Sequence, residues 1–177
     1  GRSVSVLDVA KPRSGQGFAV RQTDRVTIEP GAVSGLAKLL RDHQPCVVLT
    51  GAGVSTESGV PDFRSASGMW AEFDPREYAT LGAFRADPEK VWRFYAPRFA
   101  MLGTAEPNAA HLALAELERR GLVRAIVTQN IDLLHQRAGS RDVVEVHGSI
   151  RTSSCPACGA VYPLAEVEPL IEAHGGP

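Results

Sequence analysis

The sequence predicts an α/β fold built on a parallel sheet. Two short apolar runs, Cys46–Thr50 and residues 122–128, are each bounded by turn residues, and helical patterns alternate with them. Continuous apolar runs of this length fit strands covered on both faces, and strand–helix alternation fits parallel crossovers. A third, shorter run at residues 143–146 adds one more strand.

The elements follow in order. Residues 1–25 carry Lys, Arg, Gly, Ser and Gln with little apolar periodicity, which predicts a flexible leader. Pro30 and Gly31 precede a helix over Ala32–Asp42, with Val33, Leu36 and Leu40 on one face. The first strand then runs between Pro45 and Gly51. Residues 62–104 are rich in aromatics, Pro and Gly, and read as an insertion of loops and short helices. Asn108 caps a helix that runs to Arg120 and closes at Gly121, with Ala110, Leu114 and Leu117 as its apolar stripe. Residues 26–150 thus form one sheet domain, and 151–177 a small appendage. There is no internal repeat.

Composition narrows the function classes. The chain has 177 residues, is 44% hydrophobic and carries a formal net charge of -1, enough apolar content for one core. The charge balance argues against a nucleic-acid partner held by a basic surface. No apolar run is long enough to span a bilayer, so no membrane partner is expected. Three cysteines, two of them in a Cys-x-x-Cys pair, suit a metal site in a reducing compartment, and a cytoplasmic location is expected.

Three segments carry chemistry. Gly51-Ala52-Gly53 follows a strand, the context in which backbone N–H groups face a dinucleotide pyrophosphate. The Gly-x-Gly-x-x-Gly pattern is broken, because Thr56 stands where its third glycine would be and Gly59 comes later. A tight turn without a ligand remains the alternative. The continuation through Ser55, Thr56, Asp62, Phe63, Arg64 and Ser65 is too polar and too rich in Gly and Pro for a core helix. Gln129, Asn130 and Asp132 sit just past the second strand, where ligands of open α/β sheets bind. Side chains of these types also bond their own turns. His147 ends the third apolar run and precedes Gly148, and imidazole is the side chain suited to general-base work near neutral pH. The other four histidines, His43, His111, His135 and His174, have no chemical context in the sequence.

Cys155 and Cys158 have the two-residue spacing of a zinc knuckle. Four ligands are needed, and a second pair commonly follows after about 15–20 residues. That window reaches Pro177, so the module is expected to be incomplete at its C-terminal side. A redox Cys-x-x-Cys and His174 as a third ligand are the weaker alternatives.

Together, the run VVLTGAGVSTESGVPDFRS at residues 47–65, Thr128-Gln129-Asn130-Ile131-Asp132 and Val146-His147-Gly148 resemble the sirtuins, the NAD-dependent protein-lysine deacylases. The resemblance runs from about residue 31 to about residue 165 and implies a Rossmann-like sheet with helices on both faces plus a small zinc-binding module. It implies NAD and zinc as cofactors and an acyl-lysine protein as partner. By the same resemblance Gly51, Ala52, Gly53, Ser55, Thr56, Asp62, Phe63 and Arg64 line the NAD site, with Phe63 shielding the ribose carbon that nicotinamide leaves. Asp132 binds the nicotinamide carboxamide, Gln129 and Asn130 hold the ribose and an ordered water, and Ile131 adds an apolar contact. In the family's reaction the acyl oxygen displaces nicotinamide and the residue matching His147 deprotonates a ribose hydroxyl, so that the acyl group ends on ADP-ribose. Tyr95 and Arg98 match the Tyr-x-x-Arg pair of sirtuins that remove succinyl or malonyl groups, and otherwise read as a helix face with a surface Arg. The family's later segments are not found before Pro177, which implies an open sheet edge and uncovered apolar faces. Two further readings remain at this point: NAD hydrolysis or ADP-ribosyl transfer by the same site, and an inactive fragment that acts only as a binding module.

Overall fold

The computed structural model describes residues 3–9, 20–27, 29–65 and 68–173. Its centre is a parallel three-stranded sheet in the order β3 (Cys46–Thr50), β4 (Val123–Thr128), β5 (Val143–Glu145). Ahead of it, β1 (Ser3–Val9) and β2 (Val20–Thr27) pair as an antiparallel hairpin. This hairpin lies in the stretch expected to be a leader. Its sequences SVSVLDV and VRQTDRVT are rich in β-branched residues, which suits an extended pair. α1 (Ala32–Asp42) starts after Gly31, whose φ of 86° is open to glycine.

The insertion holds α2 (Pro75–Tyr78), α3 (Leu81–Ala86) and α4 (Pro88–Thr104). Only loops and short helices were expected there, yet α4 is 17 residues long and passes through Pro97. Proline removes one helix hydrogen bond. Aromatic packing offsets that loss: Phe94 is buried and has Phe73, Tyr78 and Tyr95 within 4.3–5.0 Å, centroid to centroid. Asp87 caps the helix through its carboxylate, which accepts from Lys90 N.

α5 (Ala109–Arg119) begins where expected. The Asn108 carboxamide accepts from the N–H groups of Ala110 and His111, and Gly121 closes the exit at φ 76°. Next come α6 (Leu134–Arg137), the antiparallel hairpin of β6 (Thr152–Ser154) and β7 (Val161–Pro163), and α7 (Leu164–Ala173). No helix among the described residues is long and apolar enough to cross a membrane.

The core lies on one side of the sheet. α5 packs on β4, and Val123, Ile126 and Leu134 are almost fully buried. Register puts Val48, Ile126 and Val143 on this face, followed by Thr50, Thr128 and Glu145 one rung later. The opposite face differs from the expectation for β3. Val47 and Leu49 are 61% and 69% exposed, because no described element covers them. Val33, Leu36 and Leu39 of α1 are likewise exposed.

Candidate active site

The site is made where the three parallel strands end. Thr50, Thr128 and Glu145 are register partners, so the residues that follow them emerge side by side. Two ladder bonds carry on beyond the strands: Gln129 N donates to Thr50 O (3.1 Å) and Val146 N donates to Thr128 O (3.0 Å). The glycine turn, the Gln129–Asp132 segment and His147 thereby share one edge of the sheet.

From Gly51 the chain enters a 3-10 helix over Ala52–Ser58, closed by Gly59 at φ 82°. Ser55 on that helix is fully buried. Its hydroxyl donates to Asp132 Oδ2 at 2.7 Å and accepts from Asn130 Nδ2 at 3.0 Å. The other amide hydrogen of Asn130 goes to Gly51 O at 3.1 Å, and its backbone N–H goes to Thr128 Oγ1 at 3.0 Å. Asp132 Oδ1 accepts from Leu134 N at 3.0 Å. Between them Leu133 sits in the left-handed region at φ 64°, a strained conformation for Leu that turns the chain beside Asp132.

A cavity of about 370 Å³ opens at this edge. Of the residues expected in the site, Ala52, Phe63, Tyr95, Arg98, Gln129, Asn130, Ile131, Asp132 and His147 line it. The remaining expected residues do not. Ser55 supports Asn130 and Asp132 from behind. Gly51 offers its carbonyl to Asn130, and Thr56 bonds Gly53 O at 3.0 Å. Asp62 accepts from Ser65 N and Oγ, holding its own turn, and Arg64 is exposed. Cys155 and Cys158 lie in the turn of the β6–β7 hairpin, where Cys155 N donates to Ala160 O and Gly159 N to Cys155 O, both at 2.8 Å. Backbone N–H groups of Cys158 and Ala157 pull the Cys155 thiol below its ordinary range.

His147 Nδ1 lies 3.1 Å from Gln129 O. A carbonyl only accepts, so Nδ1 carries the proton and Nε2 is left as a proton acceptor. Tyr95 and Arg98, which line the same cavity, are three residues apart on α4 and so share a face. Burial raises the Tyr95 hydroxyl and lowers the Arg98 guanidinium, and each partly offsets the shift of the other. Arg98 stacks on Phe94, 3.7 Å from the ring centroid, and bonds Met69 Sδ and Phe94 O. It has no carboxylate partner among the described residues.

Sequence reasoning missed the apolar wall of Met69, Trp70, Phe99, Met101 and Leu102, because nothing local marks which aromatic or aliphatic residues of an insertion face inward. It also missed His111 and His135, which are fully buried behind Asp132 with their rings 4.8 Å apart. His111 occupies the third helical position after the Asn108 cap, the place where a side chain can bond back to the cap. That spacing was the available signal.

Residues 51–176 match the Sir2 family. The chain is 52% identical over 145 residues to the NAD-dependent protein deacylase 2 of Pyrobaculum aerophilum, covering 80% of this chain and 58% of that protein. It is 51% identical over 133 residues to the NAD-dependent protein deacylase of Thermus thermophilus, covering 73% and 52%. Among solved structures, a Sir2 variant with a deacetylated p53 peptide and 3′-O-acetyl-ADP-ribose superposes with a TM-score of 0.74 at 38% identity, over 80% of this chain and 57% of the other. A structure described by the mechanism and regulation of Sir2 enzymes superposes at 0.72 with 46% identity, over 80% and 56%. The chain spans about half the length of the curated relatives it matches.

Proposed function

The chain belongs to the Sir2 family, and from that premise we propose that its cavity is the nicotinamide and acyl-lysine end of an NAD-dependent protein-lysine deacylase. The reaction moves the acyl group of a modified lysine to ADP-ribose and releases nicotinamide. The observation that carries this reading is the convergence of His147, Asn130 and Asp132 on one cavity, with His147 Nδ1 tied to Gln129 O.

The donor set suits a nicotinamide riboside. Polar side chains of Gln129, Asn130 and Asp132 are set among the apolar Ala52, Phe63 and Ile131, as an amide and a ribose on an aromatic ring require. NAD, when bound, supplies the electrophilic ribose carbon. Asp132 orients the carboxamide, and Asn130 and Gln129 meet the ribose and a water. Phe63 packs against Trp70, ring centroids 5.5 Å apart, and keeps bulk water from the reacting carbon. His147 takes a ribose hydroxyl proton on Nε2. Gly51, Gly53 and Thr56 shape the turn on which Ala52 sits, Ser55 holds Asn130 and Asp132 from behind, and Asp62 holds the turn after Phe63, leaving the exposed Arg64 free to meet the cofactor from solvent.

Tyr95 and Arg98 select the acyl group. A half-buried guanidinium without a carboxylate partner is matched by an acyl chain that ends in one, so succinyl- and malonyl-lysine are the favoured substrates alongside acetyl-lysine. Cys155 and Cys158 fit half of a tetrahedral zinc site, because their turn gives a thiol already drawn toward the thiolate. The other two ligands come from outside the described residues, among which no group of three metal-binding side chains occurs. Held by these thiolates, zinc would tie the hairpin turn to the remaining ligands as a structural centre.

The test is nicotinamide release from NAD by the full-length protein, with and without acetyl- and succinyl-lysine peptides. Release that requires an acyl peptide and is lost in His147→Ala is the expected result. Release at the same rate without any acyl peptide would replace deacylation by NAD hydrolysis.

A further inference from the structure

Behind the cavity, the polar network that holds Asn130 and Asp132 continues into buried groups that do not line it. Its last member is His111, fully buried, with Nε2 3.5 Å from Ser55 Oγ. The other ring nitrogen, Nδ1, accepts the backbone N–H of Asn108 at 3.3 Å. A backbone N–H is only a donor, so Nδ1 is unprotonated and, in the neutral ring, Nε2 carries the hydrogen. The helix cap therefore dictates the tautomer.

The tautomer dictates the next bond. A hydroxyl has one donor and two acceptor positions. Ser55 Oγ receives one hydrogen from Asn130 Nδ2, whose second amide hydrogen is committed to Gly51 O. It receives the other from His111 Nε2. Its own proton has one remaining direction, toward Asp132 Oδ2 at 2.7 Å. Asp132 Oδ1 meanwhile accepts from Leu134 N. Both carboxylate oxygens thus accept, and Asp132 lines the cavity.

We propose that His111 is a positioning residue that works through Ser55: its cap-imposed tautomer fixes the direction of the Ser55 hydroxyl, and so the aim of the Asp132 carboxylate at the nicotinamide amide. The proposal rests on the reading of Asp132 given above. His135 backs the ring edge-on at 4.8 Å and bonds Thr50 Oγ1 through Nε2 at 2.9 Å. The groups facing His111 are therefore His135, Asp132, Ser55 and the Asn108 N–H. A second proton, on Nδ1, would point at the Asn108 N–H and break that bond.

Two experiments test this. Long-range proton–nitrogen NMR of the full-length protein reads the tautomer directly, whatever the protein catalyses. The Nε2–H form of His111 at pH 7 is expected, and the Nδ1–H form or an imidazolium overturns the proposal. The second experiment measures KM for NAD, KM for the acyl peptide and the nicotinamide inhibition constant in His111→Leu, His111→Gln and Ser55→Ala. His111→Leu is expected to weaken NAD and nicotinamide by roughly 10- to 100-fold, as for a buried carboxylate left with a misdirected partner, while KM for the peptide holds. His111→Gln, which can accept from Asn108 and donate to Ser55, is expected to restore most of the loss. In a Ser55→Ala background, His111→Leu should cost no further NAD affinity. Equal losses for NAD and peptide, or full additivity with Ser55→Ala, would reduce His111 to a structural residue. If His111→Leu does not fold, the Gln variant and the NMR result decide. A wild-type protein that does not bind NAD would sink the functional reading and with it the role in cofactor binding, and the NMR result would still decide the tautomer lock.

Discussion

Replacing Arg98 by Met should change which acyl group is removed more than it changes how fast deacylation runs. Arg98 lines the cavity beside Tyr95, and the carbonyl of Phe94 and the Met69 sulfur are its nearest polar contacts. An acyl carboxylate reaching this wall gains a charge-assisted hydrogen bond worth about 1.5–3 kcal/mol. At tenfold per 1.4 kcal/mol, the loss is roughly 10- to 150-fold in kcat/KM for a succinyl peptide. An acetyl group makes no such bond. The variant also loses the stacking of the guanidinium on Phe94, worth about 0.5–2 kcal/mol, but that loss falls on both substrates. The ratio of succinyl to acetyl kcat/KM isolates the specific term. The assay is nicotinamide release on paired peptides of one sequence that differ only in the acyl group. Arg98→Lys should lie between wild type and Met, because a lysine keeps the charge and loses the fork. An unchanged ratio, with both substrates slowed alike, would show that Arg98 shapes the cavity and does not read the acyl carboxylate.

Two further outcomes follow from the buried histidines and from one glycine. Burial lowers both His111 and His135, and in His135 the neighbouring His111 lowers it further, against an upward pull from Asp132 on each. The unfolded chain, with ordinary imidazoles near pH 6.5, then binds protons that the folded protein refuses. Neither costs stability above about pH 7, and stability falls as pH drops below 6.5 toward their lowered folded values; urea midpoints between pH 8 and 5 should decline, and a flat profile would contradict the burial. Gly68→Ala should disturb the loop that carries Phe63. An added Cβ would meet Asp62 Oδ1 at 2.6 Å, the Phe63 carbonyl carbon at 2.8 Å and Arg64 N at 2.9 Å. Two of these atoms are backbone and cannot swing aside, so NAD affinity should fall severalfold or more at a stability cost of about 1–3 kcal/mol. Wild-type NAD binding in this variant would mean that the loop is not part of the site.

What could be read from the sequence was what a short stretch carries by itself. The strand ends and the segments after them are contiguous, so residues 51–53, 129–132 and 147 can be placed together from the sequence. The Asn108 cap and the Gly121 exit were legible for the same reason, since each acts within its own helix. Contacts between distant stretches were not legible. Ser55 was expected among the cofactor's direct contacts, but its side chain is spent on residues 75 and 77 positions away. A lone histidine on a helix carries no mark of the partner it meets, which is why His111 and His135 looked featureless. Pro97 and the aromatics of the insertion suggested short helices, because helix propensity does not register the packing around Phe94.

The strands also explain how an apolar sheet can end in a polar site. On the covered face each strand steps from an apolar residue to a polar one at the same rung: Val48 to Thr50, Ile126 to Thr128, Val143 to Glu145. The first row packs the core, where Ile126 is fully buried. The second row supports the site: Thr50 pairs with His135, Thr128 receives the Asn130 N–H, and Glu145 reaches Arg151 at 3.5 Å. Because register locks the two rows together, a one-residue slip that brought Leu49, Val127 or Val144 into the second row would put an apolar side chain where Thr50, Thr128 or Glu145 now supports a site loop. The sheet thus fixes the polar second row, and through Thr128 and Ser55 that row sets the angles of Asn130 and Asp132. The residues at the cavity need no rigidity of their own, and side chains as short as Asn and Asp suffice there because the backbone beneath them is held by the ladder.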